Sequence, residues 1–322
     1  MENSRFQVSG LIPILNEVNH LDDLLSSLME KGKVGEIEFF LIDGGSTDGT
    51  LEKIKAWQKK YPDIHHVANP RKFANFAFNE AFPLTKGKYV AFMGAHAEYP
   101  DNFFSIGKQY LDTNECDVVG GPLIQKGKSE KGKAIAHAMS SKLGVGDTEF
   151  RTTSRKQYVD SVAFAMYKRE IVETIGVMDE QLIRNQDDEL HYRMNAAGYR
   201  ILMVPEMKCV YYVRETLKGL FKQYYQYGLF KPLVLRKVKS GIRLRHLVPT
   251  CFVLYVMLIP FLWQYVGIVS LAPLFLYGVL VLYVAFSSNM KLSTRMFMCT
   301  VFPTLHISYG IGFLFGLGKR NR

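Results

Sequence analysis

Acidic residues are missing from the C-terminal part of the chain. All 30 aspartates and glutamates of the 322 residues lie before residue 247, and the remainder is rich in apolar side chains. A soluble domain of this size without a single acid is unusual, whereas a membrane region has this composition. We therefore expect residues 247–322 to be a membrane region.

Cysteine is also scarce, and its spacing excludes two classes of site. The four cysteines lie far apart and form no CxxC pair: Cys116, Cys209, Cys251 and Cys299. This argues against a disulfide scaffold and a cysteine-ligated zinc site. We expect reduced, buried thiols in a protein that faces the cytosol, and no signal peptide, because only a short apolar strand follows the polar N-terminus.

The common phosphate-binding motifs are absent as well. Residues 44–50 are rich in glycine but lack the Lys-Ser/Thr ending of a P-loop and the spacing of a dinucleotide fold. An ordinary strand-to-helix turn with a polar cap explains the segment equally well. Asp43, just before it, is more informative, because an ionised carboxylate suits the N–H of uracil or a sugar hydroxyl.

The net charge of +10 does not predict a nucleic-acid partner. The basic residues crowd into the stretch before the first apolar segment: Arg214, Lys218, Lys222, Lys231, Arg236, Lys237, Lys239, Arg243 and Arg245. A basic cluster there predicts contact with anionic lipid and a cytoplasmic side, although a solvated basic face has the same pattern. We expect a membrane partner and no nucleic acid.

The N-terminal two thirds alternate between strand and helix patterns. Apolar or β-branched runs at residues 6–15, 37–43, 65–68 and 88–93 predict strands, and a fifth is expected at residues 117–119. Helical spacing separates them. This rhythm predicts an α/β fold with a mostly parallel sheet and helices on both faces.

The fourth of these strands ends in polar residues. Gly94, His96 and Glu98 follow an apolar run, at the carboxyl edge of the expected sheet, where ligands of open α/β sheets bind. A histidine satisfied within the core is the alternative interpretation of His96.

Taken in order, segments 8–17, 43–50 and 87–96 resemble the family-2 glycosyltransferases. Segments 158–164, 178–180 and 184–190 resemble the subgroup of succinoglycan-type exopolysaccharide glucosyltransferases. The resemblance implies an inverting, metal-dependent enzyme with a GT-A nucleotide-sugar domain. It also implies that the nucleotide sugar is bound by Pro13, Asn16, Glu17, Asp43, Asp48, Lys72, Asn79 and Gly94.

The metal motif departs from the family pattern. The family normally has Asp-x-Asp and the subgroup Asp-Ala-His, whereas this chain has Gly94-Ala95-His96. Imidazole can bind a metal, but Mn²⁺ and Mg²⁺ prefer oxygen. Glu98 would lie on the same side as His96 if the backbone were extended, so we expect His96 and Glu98 to hold a divalent metal, Mn²⁺ or Mg²⁺.

The acids at residues 187–189 open a predicted helix. Capping and the helix dipole account for one of them, but three exceed what a cap needs. Gln186 replaces the glutamate of the family's Glu-Asp pair, and the resemblance makes Asp187 the catalytic base, with Asp188 and Glu189 as second choices. An inverting transfer needs such a base to take the proton of the acceptor hydroxyl.

The chain is expected to divide into a catalytic domain at 1–213, a basic amphipathic helix at 214–246 and a membrane region at 247–322. The amphipathic segment is expected to lie on the bilayer surface. Packing on the catalytic domain is the alternative, and the two roles are compatible. Apolar segments at 247–263, 265–286 and 296–316 follow; the first is short for a span of about 20 residues. One segment is expected to be re-entrant or interfacial, because three crossings would place the basic C-terminus outside.

The expected function is transfer of a hexose, with glucose as the expected sugar, from a UDP-sugar to a lipid-linked saccharide in exopolysaccharide or cell-surface glycan synthesis. The location would be the inner (plasma) membrane, with the catalytic domain facing the cytoplasm. Transfer to polyprenyl phosphate and a non-catalytic nucleotide-sugar binder are the alternatives. The chain lacks the Gln-x-x-Arg-Trp motif of processive family members, so a polymer-extruding synthase is disfavoured.

Overall fold

The computed structural model describes residues 5–31, 36–238 and 243–319. Lys239 of the basic cluster and the terminal Arg320 and Arg322 lie outside the described residues. The chain forms two compact units. Unit 1 comprises residues 1–123 and 153–211, and unit 2 comprises residues 124–152 and 212–322. The expected division at residue 213 differs from these units, because residues 124–152 group with the C-terminal helices.

The strands are short and mostly buried. In chain order they are β1 (Val8–Ile14), β2 (Ile37–Asp43), β3 (Ile64–Ala68), β4 (Tyr89–Phe92), β5 (Ala97–Glu98), β6 (Val118–Gly121), β7 (Leu123–Lys126), β8 (Gln157–Tyr158), β9 (Ala163–Lys168), β10 (Ile201–Met203) and β11 (Cys209–Tyr212).

The helices fall in both units. They are α1 (Leu21–Lys31), α2 (Thr50–Lys60), α3 (Ala74–Ala81), α4 (Phe103–Asp112), α5 (Glu130–Met139), α6 (Lys142–Val145), α7 (Glu149–Thr152), α8 (Arg169–Ile175), α9 (Gln186–Ala196), α10 (Leu217–Lys237), α11 (Leu244–Val266), α12 (Ala272–Phe286) and α13 (Leu292–Leu317).

Unit 1 is built on an eight-stranded sheet with the order β3-β2-β1-β4-β9-β6-β10-β8. Strands β1 to β4 pair in parallel, as do β6 and β10. Strand β9 is antiparallel to both β4 and β6, and β8 is antiparallel to β10. The mostly parallel α/β sheet is confirmed, and the antiparallel strand in its middle is an addition that the sequence pattern did not predict.

The parallel register brings the ends of three strands together. Ile14 at the end of β1 is opposite Asp43 at the end of β2, and Asp43 is opposite Ala68 at the end of β3. Strand β2 is buried along its whole length, as expected for a central strand of an α/β sheet. The loops that follow these strands therefore share one edge of the sheet.

The C-terminal half of unit 2 consists of apolar helices. Among the described residues, two helical stretches are long and apolar enough to cross a membrane: Leu244–Phe286, with 43 residues and a mean hydropathy of 2.3, and Leu292–Leu317, with 26 residues and 1.4. A short 3₁₀ segment, Gly267–Leu271, separates α11 from α12. These stretches support membrane association. The expectation of buried thiols holds for Cys116 and Cys209 but is wrong for Cys251, which is exposed on the first stretch, and Cys299 is half-buried.

The lengths of the helices differ from the expected segments. Helix α11 has 23 residues and is about 34 Å long at 1.5 Å per residue, enough for a hydrocarbon core of about 30 Å. Helix α12 has 15 residues, or about 22 Å. The segment expected to be short is thus part of a long helix, and the short helix is the one after it.

Helix α10 packs along α13 through glycines. A Cβ atom on Gly228 of α10 would lie 2.1 Å from the carbonyl oxygen of Tyr309, and one on Gly312 of α13 would lie 2.1 Å from that of Tyr225. Small residues at such positions let two helix backbones approach closely. The observed partner of the amphipathic segment is thus α13, and its expected roles on the bilayer surface and on the catalytic domain stay predictions.

Candidate functional site

The loops after β1 and β2 are hydrogen-bonded to each other. The Asn16 side-chain oxygen accepts from the Thr47 N–H at 2.9 Å, and the Asn16 N–H donates to the Ser46 hydroxyl at 2.8 Å. The Glu17 N–H donates to the Thr50 hydroxyl at 2.8 Å. Asn16 adopts a left-handed φ of 57°, which asparagine tolerates better than most residues. We call residues 15–20 and 44–50 the loop pair.

Asp43 stabilises the second loop of the pair. Its carboxylate accepts from the Gly45 N–H at 3.1 Å and from both the N–H and the hydroxyl of Ser46, the latter at 2.5 Å. Asp43 is buried, with 6% of its surface exposed. A carboxylate has about four acceptor positions, so these contacts hold the loop and still leave capacity for a ligand donor.

Asp48 connects the two loops of the pair. It accepts from the Val18 N–H at 3.1 Å and from the N–H and hydroxyl of Thr50 at 3.1 and 2.6 Å. The Thr50 hydroxyl is the largest of the contacts that lower the pKa of the Asp48 carboxyl. Asp48 thus holds the two loops together by accepting hydrogen bonds from their backbone N–H groups.

Lys72 and Pro13 border the same strand ends. Pro13 is half-buried in β1 opposite Ile42 of β2. The Gly44 N–H donates to the Ile14 carbonyl, and a Cβ on Gly44 would lie 3.4 Å from the Lys72 Cα. Lys72 is exposed and has a left-handed φ of 67°. The structure therefore brings the predicted residues Pro13, Asp43 and Lys72 to one edge.

Gly94 is half-buried and lies between the Tyr99 hydroxyl and the Phe164 ring. The Tyr99 hydroxyl accepts from the Gly94 N–H at 2.7 Å and donates to the Gly94 carbonyl at 3.1 Å. A Cβ on Gly94 would lie 2.6 Å from the Phe164 ring. Phe164 has a left-handed φ of 51°, a conformation that costs a bulky residue free energy. Position 94 therefore has no side chain and no space for one.

His96 pairs with Glu17. Its Nε2 lies 2.8 Å from Oε1 of the glutamate; the His96 side chain is 57% exposed and the Glu17 side chain only 6%. The other Glu17 oxygen is buried and has no hydrogen-bond partner among the residues that the structure describes. The His20 ring is 5.8 Å from the His96 ring, edge to face.

Glu98 does not follow His96 on an extended backbone. The chain turns at Ala95 and His96, and the exposed Glu98 lies in β5 opposite Val210 of β11. The premise that placed His96 and Glu98 on one side is therefore wrong, and Glu98 as a ligand stays a prediction. Within the described ranges, no three His, Cys, Asp or Glu side chains form a cluster that could hold a metal. The pair of His96 and Glu17, whose second carboxylate oxygen has no partner among the described residues, fits a cation whose other ligands come from a substrate.

Asn79 contacts the protein backbone. Its amide donates to the Met178 carbonyl at 2.9 Å and its oxygen accepts from the Met178 N–H at 3.0 Å. Arg71, next to Lys72, forms a two-pronged pair with Glu180. Both residues anchor segment 178–180, so a role of Asn79 toward a diphosphate stays a prediction that its present contacts do not favour.

Asp188 ends a buried hydrogen-bond chain. The Ser161 hydroxyl donates to Asp188 at 3.1 Å and lies 2.9 Å from Nδ1 of His191, whose Nε2 lies 2.8 Å from the Tyr167 hydroxyl. Burial lowers the pKa of His191 to about 4, against the opposing effect of Asp188. A neutral imidazole with its proton on Nδ1 satisfies every member: Tyr167 donates to Nε2, Nδ1 donates to Ser161, and Ser161 donates to Asp188.

The three acids at the start of α9 have different surroundings. Glu189 is 2% exposed and forms a two-pronged pair with Arg193, which also donates to three backbone carbonyls before α9. It is structural. Asp187 is half-buried, and its charge is the second cause, after burial, of the raised pKa of Tyr167. Asp187 thus lies near the same buried chain, and its role as base stays a prediction.

Sequence reasoning missed the neutral residues of the site. Thr50 and Ser46 were read only as parts of a turn, and Ser161 and Phe164 only as parts of a family motif. The polar run Ser46-Thr47-Asp48-Gly49-Thr50 was the available signal for the first pair. The local sequence around Gly94 gives no signal that Phe164 fills the space beside it, because the two positions are 70 residues apart.

The comparisons with known proteins agree with this fold. The model of the family described as Glycosyl transferase family 2 matches residues 9–176. The succinoglycan biosynthesis protein ExoA of Rhizobium meliloti (strain 1021) is 32% identical over 74% of this chain and 73% of that protein. A dolichyl N-acetyl-alpha-D-glucosaminyl phosphate 3-beta-D-2,3-diacetamido-2,3-dideoxy-beta-D-glucuronosyltransferase of Methanococcus voltae is 28% identical over 71% of this chain and 74% of that protein.

Solved structures share the fold at low identity. The mannosyltransferase PcManGT from Pyrobaculum calidifontis, in complex with GDP-Man and Mn²⁺, aligns with a TM-score of 0.62 and 16% identity over 98% of this chain and 88% of that one. Residues 1–349 of S. aureus TarS in complex with UDP-GlcNAc align with a TM-score of 0.51 and 15% identity over 96% and 91%. The fold is of the GT-A type, and the chain belongs to glycosyl transferase family 2.

Proposed function

We propose that the chain transfers a hexose, with inversion, from a UDP-sugar to a lipid-linked saccharide during synthesis of an exopolysaccharide or another cell-surface glycan. The loop pair carries this proposal. It contains Asn16, Glu17 and Asp48, and its second loop is bonded to Asp43 at the end of β2; these are four of the nucleotide-binding residues implied by the family resemblance, and they lie at the carboxyl ends of β1 and β2. Ligands of open α/β sheets bind at such an edge.

The lipid-linked acceptor is supported from two sides. One relative is named for transfer to a dolichyl-linked sugar phosphate and another for succinoglycan biosynthesis. The same chain carries two apolar helical stretches long enough to cross a bilayer. We propose a location at the inner (plasma) membrane with unit 1 in the cytoplasm, because the basic residues precede the first apolar helix.

In the proposed reaction, Asp187 accepts the proton of the acceptor hydroxyl while that oxygen bonds to the anomeric carbon. The bond from that carbon to the UDP oxygen breaks, and UDP leaves. The Ser161–His191–Tyr167 chain holds Asp188 and thereby the first turn of α9. A bound Mn²⁺ or Mg²⁺ would neutralise charge on the leaving diphosphate, and His96 is the donor that both sequence and geometry offer for it.

The test measures UDP release by the full chain in detergent, with UDP-glucose, Mn²⁺ and an extract of lipid-linked saccharides. We expect release that depends on the acceptor, and a loss of about 10³-fold in the Asp187→Asn variant, within the range for removal of a general base. UDP binding measured by calorimetry should be unchanged in that variant. Undiminished turnover in Asp187→Asn would remove Asp187 as the base.

The choice of acceptor separates the remaining candidates. Release with polyprenyl phosphate alone, and none with lipid-linked saccharide, would overturn the proposed acceptor in favour of direct transfer to the lipid phosphate. Binding of UDP without release under any of these conditions would replace the enzyme by a membrane-tethered binder. A screen of UDP-hexoses in the same assay identifies the donor sugar.

A further inference from the structure

The carboxylate that a metal–diphosphate complex needs cannot come from position 94. A Cβ there would lie 2.6 and 3.1 Å from two ring atoms of Phe164, well inside normal contact. The backbone N–H and carbonyl of Gly94 are both bonded to the buried hydroxyl of Tyr99. Gly94 therefore offers a cation neither a side chain nor an unengaged backbone group.

A different carboxylate lies beside His96. Glu17 is 5% exposed and one of its oxygens is buried without a hydrogen-bond partner among the described side chains and backbone. Leaving a buried carboxylate oxygen unsatisfied is costly. Its position is enforced, since the Glu17 N–H is bonded to Thr50 and its carbonyl accepts from the N–H groups of His20 and Leu21 at the start of α1. The orphaned atom is Oε2, while Oε1 lies beside the exposed His96 imidazole, so the carboxylate as a whole has acceptor capacity that the protein leaves unused. Such a carboxylate points to a ligand.

The spacing of the two donors fits one ion. Neighbouring ligands of an octahedral cation at about 2.1 Å are about 3 Å apart, and Nε2 of His96 lies 2.8 Å from Oε1 of Glu17. Glu17 supplies the oxygen that Mn²⁺ and Mg²⁺ prefer, and His96 adds an imidazole nitrogen.

We propose that Glu17 and His96 together bind the divalent cation of the metal–nucleotide complex, so that Glu17 replaces the carboxylate absent at position 94. The inference rests on the proposed function, because it takes a nucleoside diphosphate to be the ligand that completes the coordination. It also assigns Glu17 to the cation, in place of the nucleoside contact that the family resemblance implies.

The experiment titrates Mn²⁺ into the full chain in detergent with saturating UDP and follows free Mn²⁺ by electron paramagnetic resonance. We expect Glu17→Gln and His96→Gln each to weaken Mn²⁺ binding by at least about tenfold, the scale of losing a charged or metal-ligating contact. Glu98→Gln is the discriminating variant and should change the affinity less than about twofold. A loss in Glu98→Gln with normal binding in Glu17→Gln would overturn the proposal.

UDP binding in the presence of a chelator separates a cation role from a nucleoside role. We expect Glu17→Gln to bind metal-free UDP as the unmodified chain does. An equal loss of UDP affinity with and without Mn²⁺ would contradict the proposal and assign Glu17 to the nucleoside. Melting temperatures of the variants show whether unit 1 is still folded.

A rescue variant tests the inference that Phe164 leaves no space for a carboxylate at position 94. Gly94→Asp combined with Phe164→Ala provides a carboxylate and the space for it, and should restore Mn²⁺ binding in the Glu17→Gln background, whereas Gly94→Asp alone should not. If neither combination binds more Mn²⁺ than Glu17→Gln, the substitution of one carboxylate by the other is refuted. These measurements contain no acceptor, so a failed transfer assay with normal Mn²⁺ binding would reject the proposed function and leave this inference intact.

Discussion

The loops of unit 1 and the helices of unit 2 are held in position by different kinds of contact. In unit 1, polar side chains bond to the backbone of distant loops, as Asn16, Asp48 and Thr50 do across the loop pair. In unit 2, helices α10 and α13 meet where side chains are absent, at Gly228, Gly312 and Gly316. Side-chain hydrogen bonds hold the loops of unit 1, whereas close backbone contact at glycines lets α10 and α13 pack in unit 2, where Arg236 adds a hydrogen bond to the Gly316 carbonyl.

This difference follows from what each unit has to present. A nucleotide site needs loops of irregular shape, whose N–H and carbonyl groups require partners. A membrane helix has already satisfied its backbone internally, and packing is what remains to hold it against a neighbour. The two halves should therefore respond to different kinds of substitution.

The largest effect is expected in the glycine contact of unit 2. Gly228→Leu would drive a side chain into the Tyr309 carbonyl, 2.1 Å from the new Cβ, and should lower the free energy of unfolding by more than about 3 kcal/mol. The melting temperature in detergent measures this. Gly278→Leu in α12 is the control, because a Cβ at that position meets nothing within 4 Å; equal losses in both variants would refute close packing as the cause.

A pH-dependent loss of stability is expected from the buried hydrogen-bond chain of Ser161, His191 and Tyr167 in unit 1. The folded state keeps His191 neutral, with its pKa lowered by burial from 6.5 to about 4. The unfolded chain takes up a proton below about 6.5, so the stabilisation is complete above that pH and is lost as the pH falls toward 4. Integrated over this window, the loss is about 3 kcal/mol.

Melting curves of the full chain between pH 7 and pH 4.5 test this window. The Asp188, Asp187 and Tyr167 side chains around His191 remain in the His191→Gln variant, so the difference between the two proteins isolates the imidazole. The unmodified chain should lose more stability on acidification than His191→Gln. Parallel curves would show that His191 does not titrate in this way.

A smaller effect is expected at the loop pair. Thr50→Val keeps the shape but removes the hydroxyl that accepts from the Glu17 N–H and donates to Asp48. Leaving a buried N–H unsatisfied costs about 1 to 3 kcal/mol, and UDP binding should weaken several-fold by calorimetry. Thr50→Ser retains the hydroxyl and should behave like the unmodified chain; a normal affinity in Thr50→Val would mean that the loops do not depend on this contact.

The parallel part of the sheet was predictable because its signals are local. Strands β1 to β4 are apolar runs that end at glycine, proline or a polar residue within a few positions, and the family motifs lie on the same edges. The placement of Asp43 and Asn16 followed from those runs. Their bonding partners Ser46 and Thr47 did not, because a turn pattern does not say which loop it will contact.

The unpredicted features depend on contacts between distant segments. The pairing of Glu17 with His96 joins residues 79 positions apart, and the enclosure of Gly94 by Phe164 depends on a left-handed residue in a strand. Glu98 was misplaced because the extended backbone assumed after β4 turns at residue 95. The amide of Asn79, which the family resemblance assigns to the nucleotide sugar, bonds to the backbone of Met178, and its role toward a ligand stays a prediction.

Strand β9 has a consequence for the order in which unit 1 can assemble. Residues 8–92 supply four neighbouring strands, while β6, β10 and β8 form the other side of the sheet. Strand β9 lies between the two groups and pairs with both. Since it follows the excursion of residues 124–152 into unit 2, the sheet cannot close during synthesis until helices α5 to α7 have been made. Folding of the catalytic sheet thus includes a late, long-range step. The same strand places Phe164 beside Gly94 and Tyr167 beside His191 of α9.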